Sequence, residues 1–260
     1  MSGTIVNQRF NLAAVGAVGA GIENRHVLQE ILANPGCYTP ATTRPVTANL
    51  LTAAEQRRIS HLTRLVLAAA EQACPNPPED IRAVFVSNGG DGVTTHAICE
   101  TLAGSPPEMS PTRFTNSVHN AGAAYWSMAT HRQAATTSLS AGKWGMSAGL
   151  IEALLLMKQS ATPVLLVAYD APYPFPLSEL TPVLQPLAIA LYLTPDGPGQ
   201  SWQLALRDEK AETLPPILAS HFGDHSCEPG MIWLSALEPP RRVVLPYLDG
   251  LSVVLETMGA

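Results

Sequence analysis

Between residues 145 and 158 the chain carries Leu150, Ile151, Ala153, Leu154, Leu155, Leu156 and Met157. A helix that is apolar nearly all round has to be buried, so this stretch predicts a helix sunk in a larger layered core. It is flanked by the β-prone Thr136 to Ala141 and by the continuous apolar run Val164 to Ala168, the pattern of a strand covered on both faces. Strands alternating with buried helices predict an α/β layered domain whose sheet is at least partly parallel.

The rest of the chain reads on the same scheme. A Gly-punctuated apolar segment, Leu12 to Ile22, comes first, then a polar stretch from Pro35 to Asn49. Thr52 and Glu55 form a capping box, and Ile59, Leu62, Leu65, Val66, Ala69 and Ala73 recur at helical spacing, predicting a helix over about 53–73. Ala83 to Val86 reads as a buried strand that leaves through the Gly-rich Ser87 to Gly92, where the backbone can approach a ligand or another chain. Residues 119–131 predict a helix of small residues. From Ala171 to Pro186 five prolines impose an extended excursion, after which Leu187 to Leu193 reads as a strand. Trp202 to Leu206, Met231 to Leu234 and Val243 to Leu245 read as further strands, and 247–258 as a short terminal helix.

Composition excludes several functions. A net charge of -6 with no run of Lys or Arg leaves nothing to neutralise phosphates, so no nucleic-acid partner is expected. Cys37, Cys74, Cys99 and Cys227 are widely spaced and follow no signal peptide, which predicts free thiols and a cytoplasmic location. Residues 148–157 are too few to cross about 30 Å of hydrocarbon, and 11–22 are rich in Gly and Ala, so no membrane span is expected. With 46% hydrophobic and 14% charged residues, an exposed apolar patch and an oligomer are predicted.

Three local motifs compete for chemistry. Gly16 to Gly21 has its glycines spaced GxxGxG, the wrong order for a dinucleotide fingerprint; a strand and turn packed closely in a core accounts for it, and no cofactor is expected. Gly145-Met-Ser147-Ala-Gly149 matches the nucleophile elbow G-x-S-x-G, with Asp170 or Asp224 and His225 following in hydrolase order. A serine hydrolase or acyltransferase using Ser147 is therefore one alternative, while a helix-start serine is the plainer reading. His221 and His225 with Cys227 lack further ligands at a recognisable spacing, so no metal is expected. His119 suits packing and hydrogen bonding better than proton transfer.

Four segments together are more specific: Phe114 to Ser127 (FTNSVHNAGAAYWS), Ala135 to Gly142 (ATTSLSAG), Gly149 to Ala153 (GLIEA) and Val164 to Asp170 (VLLVAYD). In sequence they resemble the β-ketoacyl-synthase-like N-terminal domain, and in particular chain length factors of aryl polyene and related type II polyketide systems. The likeness implies a thiolase-like layered α/β/α fold, truncated relative to a full ketoacyl synthase, with 1–195 as the synthase-like domain and 196–260 as short strands and a helix completing it. It places the nucleophile turn at Ala141, Gly142, Lys143 and Trp144, where no cysteine stands, and a condensing enzyme needs a thiolate there. No His-Gly-Thr-Gly-Thr-like segment is found either.

The resemblance therefore implies a chain with no catalytic residue. It would form a heterodimer with a full ketoacyl synthase, through Asn120, Ala121 and Ala124 and the strand Thr136, Thr137, Ser138 and Leu139. Its contact with the acyl chain on an acyl carrier protein would be indirect, by gating the partner's tunnel with Asn88, Asp91, Thr94, Ile98, Arg113 and Phe114. A purely structural homodimer is the other alternative.

Overall fold

The computed structural model describes residues 7–41, 50–105, 109–179 and 183–258. In chain order the elements are β1 (Asn7–Gly19), α1 (Arg25–Ala33), α2 (Ala53–Gln56), α3 (His61–Ala73), β2 (Arg82–Val86), α4 (Gly92–Ala103), α5 (Pro111–Ser117), α6 (Ala121–Thr130) and β3 (Thr136–Leu139). There follow α7 (Gly145–Ser160), β4 (Val164–Asp170), β5 (Leu187–Thr194), β6 (Gln200–Arg207), α8 (Pro216–Phe222), α9 (Glu228–Leu234), β7 (Val243–Leu248) and β8 (Leu251–Thr257).

The strands form one eight-stranded sheet in the order β3-β2-β4-β5-β1-β6-β8-β7. β2 lies parallel to β3 and β4, and the remaining pairings are antiparallel. Successive side chains of a strand point to opposite faces, and β4 shows the result: Val164, Leu166 and Ala168 enter one core, Leu165, Val167 and Tyr169 the other. The first core is closed by α1, α7, α8 and α9. Trp233 of α9 meets Phe10 and Trp202 edge-on at 5.9 and 5.5 Å, contacts worth about 0.5–1.5 kcal/mol each beyond burial. The second is closed by α3 and α6, with Leu65, Phe85 and Trp126 buried in it. This is an α/β/α sandwich, as the alternation of strands and helices predicts.

The two ends of the sheet differ. Among the described residues β3 has a strand, β2, on one side only. On β7, Val244 donates its N–H to Glu212 Oε1 at 3.3 Å and accepts from the Glu212 N–H at 2.8 Å, so a passing loop covers that edge.

Several expectations need correction. The helix expected over 53–73 is two: the Thr52–Glu55 capping box is present and starts α2, but Ser60 caps a new helix by accepting from the Thr63 N–H at 3.1 Å, and the chain bends between them. Met231 to Leu234 lie in α9, not in a strand. Four apolar residues do not distinguish the two states, and Pro229 in the first turn with Glu228 ahead of it favours the helix. The expected terminal helix is instead the hairpin β7–β8, turning at Asp249-Gly250 with Gly250 at φ 72°, a turn signal outweighed in the sequence by the apolar run after it. α7 is not buried all round: Leu150, Ala153, Leu154 and Met157 face the core, whereas Leu155 is 51% exposed. Part of the polar stretch at 42–49, and Pro182 of the proline-rich excursion, lie outside the described residues.

Candidate functional site

The parallel strands β3, β2 and β4 end on the same side of the sheet, and open α/β sheets bind ligands outside such carboxyl ends. Here the segment after β2 and the segment before α9 converge on one side chain at the end of β4. Asp170, 3% exposed, accepts from Ser87 Oγ at 2.9 Å and the Asn88 N–H at 2.7 Å through Oδ1, and from the Ser226 N–H at 3.1 Å through Oδ2. Ser87 Oγ in turn accepts from the Gly90 N–H at 3.0 Å. The buried carboxylate is thus satisfied by hydrogen bonds, the condition under which burial of a charge is tolerated.

Above it lies a cavity of about 550 Å³, lined by Asn88, Gly142, Lys143, Trp144, Tyr173 and Asp224 among others. Gly142 takes φ 56°, and a Cβ there would meet nothing within 4 Å. The first turn of α7 is pinned beneath: the Met146 N–H donates to Ser226 O at 2.8 Å, and a Cβ on Gly145 would lie 2.6 Å from Ser226 Cβ. Lys143 Nζ stands 3.7 Å from Asp224 Oδ1, both about half exposed, a pair that contributes little to stability. Burial, helped by the charges of Asp170 and Asp91, pushes the Tyr173 phenol upward, so it stays protonated at neutral pH.

The cysteines lie elsewhere. Cys37 and Cys99 are exposed, on the turn after α1 and on α4 respectively, and Cys74 is buried at the end of α3. Cys227 is buried beside Ser226 and donates to Ala168 O at 3.1 Å. Its burial, with Asp170 adding to the effect, raises its pKa well above the ordinary thiol value, which disfavours the thiolate.

Ser147 is fully buried and donates to Pro246 O at 2.7 Å. It sits inside α7 and not on the turn, while its potential partners are engaged otherwise: Asp170 as above, and His225 Nδ1 by accepting from the Cys227 N–H at 3.0 Å. Among the described residues no group of three or more His, Cys, Asp or Glu could hold a metal ion, and no helix is long and apolar enough to cross a membrane. His119 donates from Nε2 to Ser87 O at 2.9 Å and so braces the loop after β2.

His225 carries a pH dependence. Burial lowers its pKa below the ordinary 6.5, with the nearby Asp170 charge acting in the opposite direction. The unfolded chain therefore takes up the proton first as pH falls, so the stabilisation is complete above the unfolded value and is lost below it. Urea midpoints are expected to drop between about pH 7.5 and about pH 5.5, and the His225→Gln variant should show a flatter profile over that range.

The gate candidates fall into two groups. Asn88 lines the cavity. Asp91 caps α4 by accepting from the Thr94 N–H at 2.9 Å; Thr94 and Ile98 lie on α4 half-buried, outside the cavity lining, Arg113 donates weakly to Thr101 Oγ1 at 3.4 Å, and Phe114 is 59% exposed. Of α4 only Gly92 is fully buried. Val93, Leu102, Phe114, Val118 and Met128 are exposed apolar residues on α4, α5 and α6 and the loop between the last two; α4 packs on α5, α5 on α6, and α6 on β3. Of the interface candidates, Ala121 is buried while Asn120 and Ala124 are exposed, and Thr136 to Leu139 form the half-exposed end strand. Sequence reasoning missed α4 and α5, the hub role of Asp170, and Tyr173; the only signal for Tyr173 was its place between Pro172 and Pro174.

Comparison with known proteins fits this arrangement. The family described as beta-ketoacyl synthase, N-terminal domain matches residues 30–229. No curated protein sequence matches the chain. A chain from the complex of the ketosynthase ApeO with its chain length factor ApeC, from Xenorhabdus doucetiae, superposes with TM-score 0.74 at 21% identity over 95% of this chain and 98% of that one. The ishigamide ketosynthase/chain length factor gives TM-score 0.72 at 14% identity, over 99% and 100%. A beta-ketoacyl synthase from Burkholderia phymatum gives 0.59 at 10%, over 79% of this chain and 66% of that one. The fold is thus the thiolase-like one of the ketosynthases, and the chain belongs to the beta-ketoacyl synthase N-terminal domain family.

Proposed function

We propose that this chain is a non-catalytic, chain-length-factor-type subunit that pairs with a full ketoacyl synthase in the cytoplasm and helps shape its acyl tunnel in aryl polyene or polyketide assembly. The observation that carries the reading is the turn between β3 and α7: Gly142, Lys143 and Trp144 line a formed cavity, and no thiol stands among the four residues Ala141 to Trp144. Condensation requires a thiolate to take the acyl group as a thioester, and the one cysteine beside the Asp170 cluster, Cys227, is buried with its proton held. Two of the solved structures that share the fold are described as pairs of a ketosynthase and a chain length factor.

The surface supports the partner role. α4, α5 and α6, which carry the exposed apolar residues, pack in series, and α6 packs on an end strand with one open side; exposed apolar surface and an open sheet edge both favour association. On this reading Thr94, Ile98 and Phe114 point out of this chain toward the partner's tunnel, and residues 196–260 complete the same domain by adding β6, β8 and β7 to the sheet. Co-expression with a cysteine-containing synthase tests it: the two chains should co-purify, and Thr94→Trp should shorten the product. Co-purification with unchanged product length would reduce the chain to a purely structural role.

A further inference from the structure

On the face of the sheet covered by α3 and α6 a small closed cavity of about 10 Å³ is lined by residues of both helices, of the loop before α4 and of the end of α5. That is the room one water molecule needs, about 10–15 Å³. We infer that it holds a single internal water molecule, which bridges the Asp91 carboxylate, the Asn116 amide and the uncapped start of α6.

Three unpaired groups carry the assignment. Asp91 and Asn116 both line the cavity and are 8% and 6% exposed. Each has one polar atom engaged elsewhere: Asp91 Oδ1 accepts from the Thr94 N–H at 2.9 Å, and Asn116 Nδ2 donates to Arg58 O at 2.8 Å. A carbonyl can only accept, so this bond fixes which way the Asn116 amide points and leaves its oxygen over. Asp91 Oδ2 and Asn116 Oδ1 are buried with no hydrogen-bond partner among the described residues. The third group is a donor. Asn120 makes no side-chain cap on α6. The Ala121 N–H reaches Val118 O and the Ala124 N–H reaches Asn120 O, both at 3.0 Å, whereas the Gly122 N–H between them has no acceptor among the described residues. Gly122 is buried and lines the same cavity.

These groups select the occupant. Two acceptors and one donor match the two hydrogens and the lone pairs of water, and internal waters make about three hydrogen bonds. A cation would satisfy the two oxygens, but it would face the positive end of α6 and has no lone pair to accept from the Gly122 N–H. An anion would meet the Asp91 carboxylate. The other polar side chains of the lining are engaged already: Thr63 Oγ1 with Ser60 Oγ at 3.0 Å, His119 Nε2 with Ser87 O at 2.9 Å, and Tyr169 Oη with His119 O at 3.4 Å. Gly122 leaves the room for the molecule, since a Cβ there would lie 3.1 Å from Tyr169 Oη and 3.3 Å from Val66 Cγ1, both on the lining. Asp91 thus acts inside its own chain. The water ties together the start of α4, the end of α5 and the start of α6, the helices that carry the exposed Val93, Phe114 and Met128, and it does so whether or not a partner binds.

A high-resolution crystal structure of the isolated chain, grown with rubidium chloride as the only salt, tests the assignment. One ordered peak is expected within hydrogen-bond distance of Asp91 Oδ2, Asn116 Oδ1 and the Gly122 nitrogen, with no anomalous signal at the rubidium edge. An anomalous peak there would make the occupant a monovalent cation, and no peak would mean that the groups are left unbridged; either overturns the inference. In solution, the Gly122 amide should exchange about tenfold faster in Asn116→Leu than in the parent chain, with the centre of β5 unaffected. Unchanged exchange at Gly122 also overturns it. Should Asn116→Leu not fold, Gly122→Ala makes the comparison: its methyl group takes up the cavity, and the peak should disappear.

Discussion

Replacing Gly16 with alanine is expected to destabilise the chain by about 3 kcal/mol, at the upper end of overpacking costs, and replacing it with valine should prevent folding. A Cβ at Gly16 would lie 2.0 Å from Ala69 O, 2.8 Å from Gln72 Cβ and 2.9 Å from Ala73 N. Two of those three atoms are backbone, so no rotamer change relieves the clash. Neither element can easily move: Gly16 pairs with Ala190 in the middle of the β1–β5 ladder, and the Ala17 N–H donates to Gln72 Oε1 at 3.1 Å, locking α3 in register over β1. Urea denaturation checks this through a lowered midpoint with an unchanged slope. Gly36→Ala is the control, since the nearest atom to its Cβ position is Asn34 Oδ1 at 3.8 Å; it should cost less than about 0.5 kcal/mol. Equal effects at the two glycines would refute the close-approach account.

Asp170→Ala is expected to cost about 3 kcal/mol or more, because it strands three donors, Ser87 Oγ–H and the N–H groups of Asn88 and Ser226, and each buried unsatisfied donor costs about 1–3 kcal/mol. Asp170→Asn keeps the shape but replaces one acceptor oxygen with an NH₂ group, so a smaller loss is expected. Thermal melts measure the loss. Amide exchange localises it: in Asp170→Asn the Asn88 and Ser226 amides should exchange faster while those in the centre of β5 stay protected. A cost for Asp170→Ala below about 1 kcal/mol would mean that water replaces the carboxylate and that the cluster does not hold the two segments together.

The layering was legible because it rests on local pattern. Val164 to Ala168 and Leu187 to Leu193 are continuous apolar runs, and β-strands buried on both faces have no other appearance. The family was legible from four segments taken together. Where tertiary context decides, the sequence was mute. The bend between α2 and α3 depends on Ser60 capping a second helix inside one apolar period, and Met231 to Leu234 become helical through the residues before them. α4 has no amphipathic stripe because it buries little in its own chain: Val93, Cys99 and Leu102 all face outward. The Asp170 cluster joins residues 83, 82 and 56 positions away, and Tyr173 packs against Gly89 and Gly92, which precede it by more than eighty positions; no periodicity records such pairs.

The unequal ends of the sheet bear on how many copies can assemble. A ribbon that exposes hydrogen-bonding groups along both margins recruits neighbours indefinitely and becomes a fibre. With Glu212 occupying the N–H and C=O of Val244 on the β7 margin, growth past β3 is favoured over growth past β7, and one addition at β3 uses up that vacancy, which favours a pair over a fibre.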